Sequence, residues 1–208
     1  MSYLPLPPAL FHRRQLRTRL VDPASLVRLA WDSPTTLAGF RYNARYRFDA
    51  PDASFGVLYA AFDLKTAFVE TILRNEPAQS PAGDPRILSL AELEPRRVVS
   101  FTNDFITQTR HLTLIELFAE GLVAAQTDNR ISTEDSYPVT QQWAKALHGH
   151  PIRADGIVYV SRYFAPRLSV VHFDRCAAAL RVGPVVELLK HADFARLVND
   201  FNLSIAAR

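Results

Sequence analysis

The stretch Gly56-Val-Leu-Tyr-Ala-Ala-Phe62-Asp63-Leu-Lys-Thr-Ala-Phe68-Val-Glu70-Thr-Ile72-Leu-Arg74 changes its hydrophobic period halfway along, and that change decides the fold class. Val57 to Phe62 is apolar throughout, which suits a strand buried on both faces. Asp63 then stands where a helix N-cap is wanted. Leu64, Phe68 and Ile72 recur at i, i+4 and i+8, so the spacing predicts a helix over Asp63 to Arg74 with one apolar stripe. A buried strand running straight into an amphipathic helix points to a mixed α and β domain.

Upstream, Leu26 to Trp31 reads as a short strand. The first 20 residues are proline-rich and then basic, with no acid, the reverse of the order in a secretory signal. Pro5, Pro7 and Pro8 would break the amphipathic helix of a transit peptide. Residues 1–25 are therefore expected to form an arm packed on a single domain, 26–208. Downstream, Arg86 to Leu93 and Arg97 to Phe101 read as a hairpin around Glu94-Pro95. Leu112 to Ala125 and Pro138 to His148 read as helices, and the polar run Gln126 to Tyr137 between them as a mobile loop. Gly156 to Ser161 and Leu168 to Phe173 read as strands, and Asp193 to Phe201 as a last helix covering a sheet face.

Composition narrows the function classes. With 208 residues, 48% apolar and 22% charged, the chain has the make-up of a folded domain, not of a disordered tail or a collagen-like fibre. One cysteine, Cys176, cannot form an internal disulfide, so the core must carry the fold, as in a reducing, cytoplasmic setting. No apolar run reaches the roughly 18 residues of a membrane span. A net charge of +3 is a weak argument for nucleic acid. The basic residues are nearly all arginine, lysine standing only at 65, 145 and 190, and arginine is the better planar clamp for phosphate or carboxylate.

The densest cluster of chemistry is Arg41-Tyr-Asn-Ala-Arg45-Tyr46-Arg47-Phe48-Asp49. Arginine beside aromatics suits a single-stranded nucleic-acid groove, and equally a dinucleotide pocket with guanidinium on pyrophosphate. A solvent-facing loop, its arginines lying over their neighbours, is the plain alternative. Glu70 falls off the apolar stripe, where most glutamates are simply solvated. Tyr59 sits in an apolar strand, and Ser161 ends one. No G-x-S-x-G, G-x-G-x-x-G or Walker loop is present, and the six histidines have poor metal spacing.

Taken in chain order, several segments resemble one family. These are Val27-Arg28-Leu29, Arg47-Phe48-Asp49-Ala50-Pro51, Gly56 to Ala61, Ala67-Phe68-Val69-Glu70-Thr71 and Asp155-Gly156-Ile157-Val158-Tyr159-Val160-Ser161-Arg162. Together they resemble the RES-domain family, named for an arginine, a glutamate and a serine in that order. The resemblance implies an α+β fold with an ADP-ribosyltransferase-like split, twisted β core flanked by helices. It implies an enzyme that degrades NAD, with phosphate as an optional co-substrate and no metal. It implies a toxin held in check by a helix-turn-helix (Xre-type) antitoxin, allows a homodimer, and calls for neither nucleic acid nor membrane.

Residue by residue, the resemblance makes Glu70, Arg47 and Ser161 catalytic, with Arg28, Arg47, Tyr59 and Ser161 binding the dinucleotide. Compact members carry Gly-Gly-Arg-Trp-Asn where this chain has Ala44-Arg45-Tyr46-Arg47-Phe48-Asp49. Arg45 and Arg47 both qualify as the first arginine, and Arg47 keeps the better spacing to Tyr59. Two other readings stay open: transfer of ADP-ribose to a protein, and a basic RNA-binding module.

Overall fold

Among the residues that the computed structural model describes, 4–75, 84–102 and 110–207, the chain forms ten strands in two sheets. The first five are β1 (Thr18–Val21), β2 (Val27–Trp31), β3 (Val57–Ala61), β4 (Arg86–Ser89) and β5 (Arg96–Thr102). The rest are β6 (Leu112–Leu117), β7 (Gly156–Val160), β8 (Leu168–Phe173), β9 (Arg181–Glu187) and β10 (Leu203–Ala206). The helices are α1 (Pro34–Leu37), α2 (Leu64–Thr71), α3 (Leu90–Leu93), α4 (Glu120–Ala125), α5 (Arg130–Thr133), α6 (Tyr137–His148) and α7 (Phe194–Asp200). Eight strands make the main sheet in the order β1-β6-β7-β8-β3-β2-β5-β9, and β10 pairs with β4 in a small second sheet.

Within the main sheet only β6 and β7 run parallel. A parallel pair needs a long crossover, and α4, α5 and α6 all lie in this one. The sheet is continuous in name but split in the middle. β2 matches β5 over five residue pairs and β3 matches β8 over five, yet β2 and β3 share only Val27 opposite Ala61. The expected α+β core with a split sheet is therefore what the chain builds.

Helix α2 packs across that split, touching both β2 and β3. Asp63 caps it as expected: its carboxylate accepts from the Thr66 amide at 2.7 Å and from the Thr66 hydroxyl at 2.9 Å. Leu64, Phe68 and Ile72 are buried with Leu29, Ala61 and Val98. Leu197 of α7 joins the same cluster. On the other half-sheet, Trp143 of α6 is fully buried, and its indole N–H donates to the Pro5 carbonyl at 2.7 Å. Phe11 meets the Trp143 ring edge-on at 5.2 Å. The N-terminal segment is thus tied down, and β1 within it pairs with β6 at the sheet margin. Residues 1–3 lie outside the described residues.

Three expectations are corrected. Leu112 to Ala125 is not one helix: Leu112–Leu117 is a strand between β1 and β7, and only Glu120–Ala125 is helical. Arg86 to Phe101 is not a hairpin, because α3 intervenes and sends β4 and β5 to different sheets. Gln126 to Tyr137 is not all loop: α5 forms there and buries Ile131 completely.

Candidate active site

Where β2 and β3 part, the gap opens into a cavity of about 470 Å³. The parting leaves the Tyr59 carbonyl without a ladder partner on that side, and the Arg28 guanidinium donates to it at 2.7 Å. At the far end of β3 the backbone of Arg41 exchanges hydrogen bonds with Val57, at 2.9 and 3.0 Å. That bridge holds the loop carrying Arg41, Arg45, Tyr46 and Arg47 along the rim.

Asp49 organises the loop from within. It is fully buried; one carboxylate oxygen accepts from the amides of Arg45 (3.0 Å) and Tyr46 (2.8 Å). The other accepts from the Tyr59 hydroxyl at 3.2 Å, and that hydroxyl in turn accepts from the Phe48 amide at 2.9 Å. Burial pushes the Asp49 carboxyl above its ordinary range, against the pull of the Tyr46 amide and Arg41. Burial, reinforced by Asp49, raises Tyr59 well above the usual phenol range, so it stays a donor. Phe48 anchors the turn against the Tyr159 ring at 4.8 Å.

Four of the five residues singled out by sequence line this cavity: Arg28, Arg47, Tyr59 and Glu70. Arg47 is buried, with its guanidinium 5.2 Å from the centre of the Tyr137 ring. Glu70 is half-buried on α2 rather than free in solvent. Ser161 stands apart. It is 1% exposed and absent from the wall; its hydroxyl donates to the Glu70 carboxylate and accepts from the Phe164 amide at 3.1 Å. The structure thus spends the serine on holding the glutamate, so it is not free to bind a pyrophosphate. Tyr59 likewise has its hydroxyl committed to Asp49 and Phe48, leaving only its ring to a ligand.

The electrostatics are one-sided. Seven arginines and two glutamates line the cavity. Arg96 pairs with Glu92, and Arg162 with Asp135. Arg28, Arg41, Arg45, Arg47 and Arg74 have no acidic partner within ion-pair distance among the described residues. Burial, with Arg41 nearby, brings Arg28 down to about 10, still a cation at neutral pH. Sequence reasoning quoted Asp49, Tyr46 and Tyr159 within its segments without giving any of them a role of its own, and it passed over Ser132 and Ser169. A lone carboxylate among three arginines was the available signal for Asp49; the two serines gave none.

A larger hollow of about 680 Å³, between Pro7, Phe11 and α6, contains none of the five. Among the described residues no group of His, Cys, Asp or Glu is arranged to hold a metal, and no helix is long and apolar enough to cross a membrane.

Both the sequence and the fold are similar to those of known proteins. The chain is 30% identical to "Probable toxin y4kH" of Sinorhizobium fredii (strain NBRC 101917 / NGR234) over 95 residues, 45% of this chain and 74% of that protein. Its fold is that of a chain in the M. tuberculosis MbcT-MbcA toxin-antitoxin complex, with a TM-score of 0.59, 15% identity and 92% of each chain covered. Residues 14–194 match the RES domain, a span that takes in Arg28, Arg47, Glu70 and Ser161. The chain belongs to the RES-domain family.

Proposed function

We propose that this chain degrades NAD, breaking the bond between nicotinamide and ribose with phosphate or water as acceptor, and that it is the toxin of a toxin–antitoxin pair. The observation that carries the reading is Glu70: one glutamate, held by a buried serine, in the wall of an arginine-lined cavity. Breaking the C1′–N bond sends the electron pair out with nicotinamide and leaves positive charge on the ribose, as in glycoside cleavage. A fixed carboxylate stabilises that charge in the transition state. Arg28 and Arg47 supply the planar donors that a pyrophosphate takes bidentately. An acceptor oxygen then bonds to C1′, giving a phosphorylated ADP-ribose from phosphate, or ADP-ribose and a proton from water.

Family membership and the two toxin neighbours support this reading. Incubating the purified protein with NAD, with and without phosphate, tests it by mass spectrometry. Phosphate is expected to speed NAD loss and to appear in the product. Free ADP-ribose alone, at a rate that phosphate does not change, would make the reaction hydrolysis; no NAD loss at all would reject the activity. An antitoxin segment bearing a carboxylate for Arg28 or Arg47 would occupy the pyrophosphate site. Co-expression with a neighbouring gene that neither rescues growth nor co-purifies would defeat the toxin-pair part alone.

A further inference from the structure

Five arginines without an acidic partner are more positive charge than the two negative charges of the NAD pyrophosphate answer. Three of them converge on one side chain. The guanidinium carbons of Arg41, Arg74 and Arg45 lie 4.3, 4.6 and 5.4 Å from the centre of the Tyr46 ring. No two of the three are therefore more than about 10 Å apart, comparable to the Debye length at physiological salt, so salt screens their repulsion incompletely. The Nε atoms of Arg41 and Arg74 are buried with no hydrogen-bond partner. An aromatic face offsets part of that cost by cation–π attraction. It does not supply the charged acceptor oxygens that guanidinium donors bind best. Burial pushes the Tyr46 phenol up, but the hydrogen bond from Arg74 and the charges of Arg41, Arg74 and Arg45 outweigh it and leave it below its ordinary range.

We infer that Arg41, Arg45 and Arg74, grouped around Tyr46, form a second anion subsite for a phosphomonoester on the adenosine half of the substrate, so that 2′-phosphorylated nicotinamide dinucleotide (NADP) is preferred to NAD. The inference rests on the reading of this cavity as a dinucleotide site. The Tyr46 ring lies 6.2 Å from that of Tyr59, so the cluster belongs to the same cavity as Glu70. Arg28 and Arg47 remain for the pyrophosphate. A phosphate gripped by three guanidinium groups has its lone pairs occupied and attacks poorly, so the cluster suits a group the substrate carries along rather than the acceptor. A phosphomonoester is close to a dianion at neutral pH, and three planar donors can grip its oxygens.

Two measurements test this, one of binding and one of turnover. Adenosine 2′,5′-bisphosphate and 5′-AMP are titrated into the wild-type protein by calorimetry, then into Arg45→Ala, whose side chain is exposed and safe for folding. The bisphosphate is expected to bind at least tenfold more tightly than AMP, with most of that margin lost in Arg45→Ala. The ratio of kcat/KM for NADP over NAD is expected to exceed ten and to fall toward one in the same variant. Equal binding of the two mononucleotides overturns the subsite. If inorganic phosphate displaces the bisphosphate while both dinucleotides are consumed equally, the cluster holds free phosphate and the inference is wrong. If the bisphosphate margin depends on Arg45 but neither dinucleotide is consumed, the subsite stands and the proposed reaction falls.

Discussion

Glu70 and Ser161 are joined by a hydrogen bond, and in the proposed reaction the first does the chemistry while the second holds it still. Glu70→Gln keeps the size and one acceptor but removes the charge. Turnover of NAD is expected to drop on the order of 100-fold or more with binding little changed, because the lost interaction belongs to the transition state. Arg47→Ala is expected to weaken NAD binding as well, since the pyrophosphate is charged throughout the reaction. Ser161→Ala removes the donor to Glu70 without touching the cavity wall. It is expected to lower kcat roughly tenfold and leave KM in place, a split that a merely structural serine would not give. Steady-state NAD consumption beside melting temperatures checks all three. A folded Glu70→Gln protein with wild-type turnover would falsify the catalytic assignment.

Helix α2 is the element that brings the glutamate to the split, and its start rests on Asp63. Asp63→Ala removes the bonds to Thr66 and the ion pair with Arg167 at 3.2 Å. The expected cost is about 1–2 kcal/mol, most of it from the cap, since the Arg167 pair is largely exposed. That amounts to a few degrees of melting temperature in a chain of this size. No change in melting temperature would show that tertiary packing alone sets the helix. The strand and helix around Asp63 were legible because their period and cap are local. The β6 segment Leu-Thr-Leu-Ile-Glu-Leu was not. Its leucines and glutamate favour a helix intrinsically, and only pairing with β1 and β7 makes it a strand. The same limit applies to the site: a bond between Ser161 and Glu70 spans 91 positions, and no spacing rule reaches that far.

Over the whole molecule, burial lowers three histidines, His148, His150 and His172, and His172 and His148 carry the large shifts. His172 is fully buried with both ring nitrogens unpartnered; burial and the charge of Arg28 pull it down to about 3. Burial, then Arg175, brings His148 to about 4 against the pull of Asp174. The unfolded chain takes up protons at both from near pH 6.5 downward while the folded chain refuses them. Stability is therefore full above about pH 6.5 and is lost as pH falls, toward about 4 for His148 and about 3 for His172, by at most about 1.4 kcal/mol per pH unit at each. The buried Asp49, shifted upward, works in the opposite sense. Melting temperatures at pH 7.5, 6 and 5 are expected to decline, and His172→Leu to flatten the decline; identical melting at all three would refute it. The single residue pair between β2 and β3 has a consequence for motion. Each half of the sheet has its own ladder, and although a shared apolar cluster joins Phe101 of β5 to Leu58, Leu114 and Val158 of the other half, a single backbone pair links the two ladders, so local opening is easiest along that seam. A dinucleotide gripped by Arg28 on one half and resting on Tyr59 of the other would act as the rungs the ladder lacks. Amide exchange in β2 and β5 is then expected to slow on adding NAD far more than in β6 and β7, the empty site being a loosely hinged one and the filled site a latch.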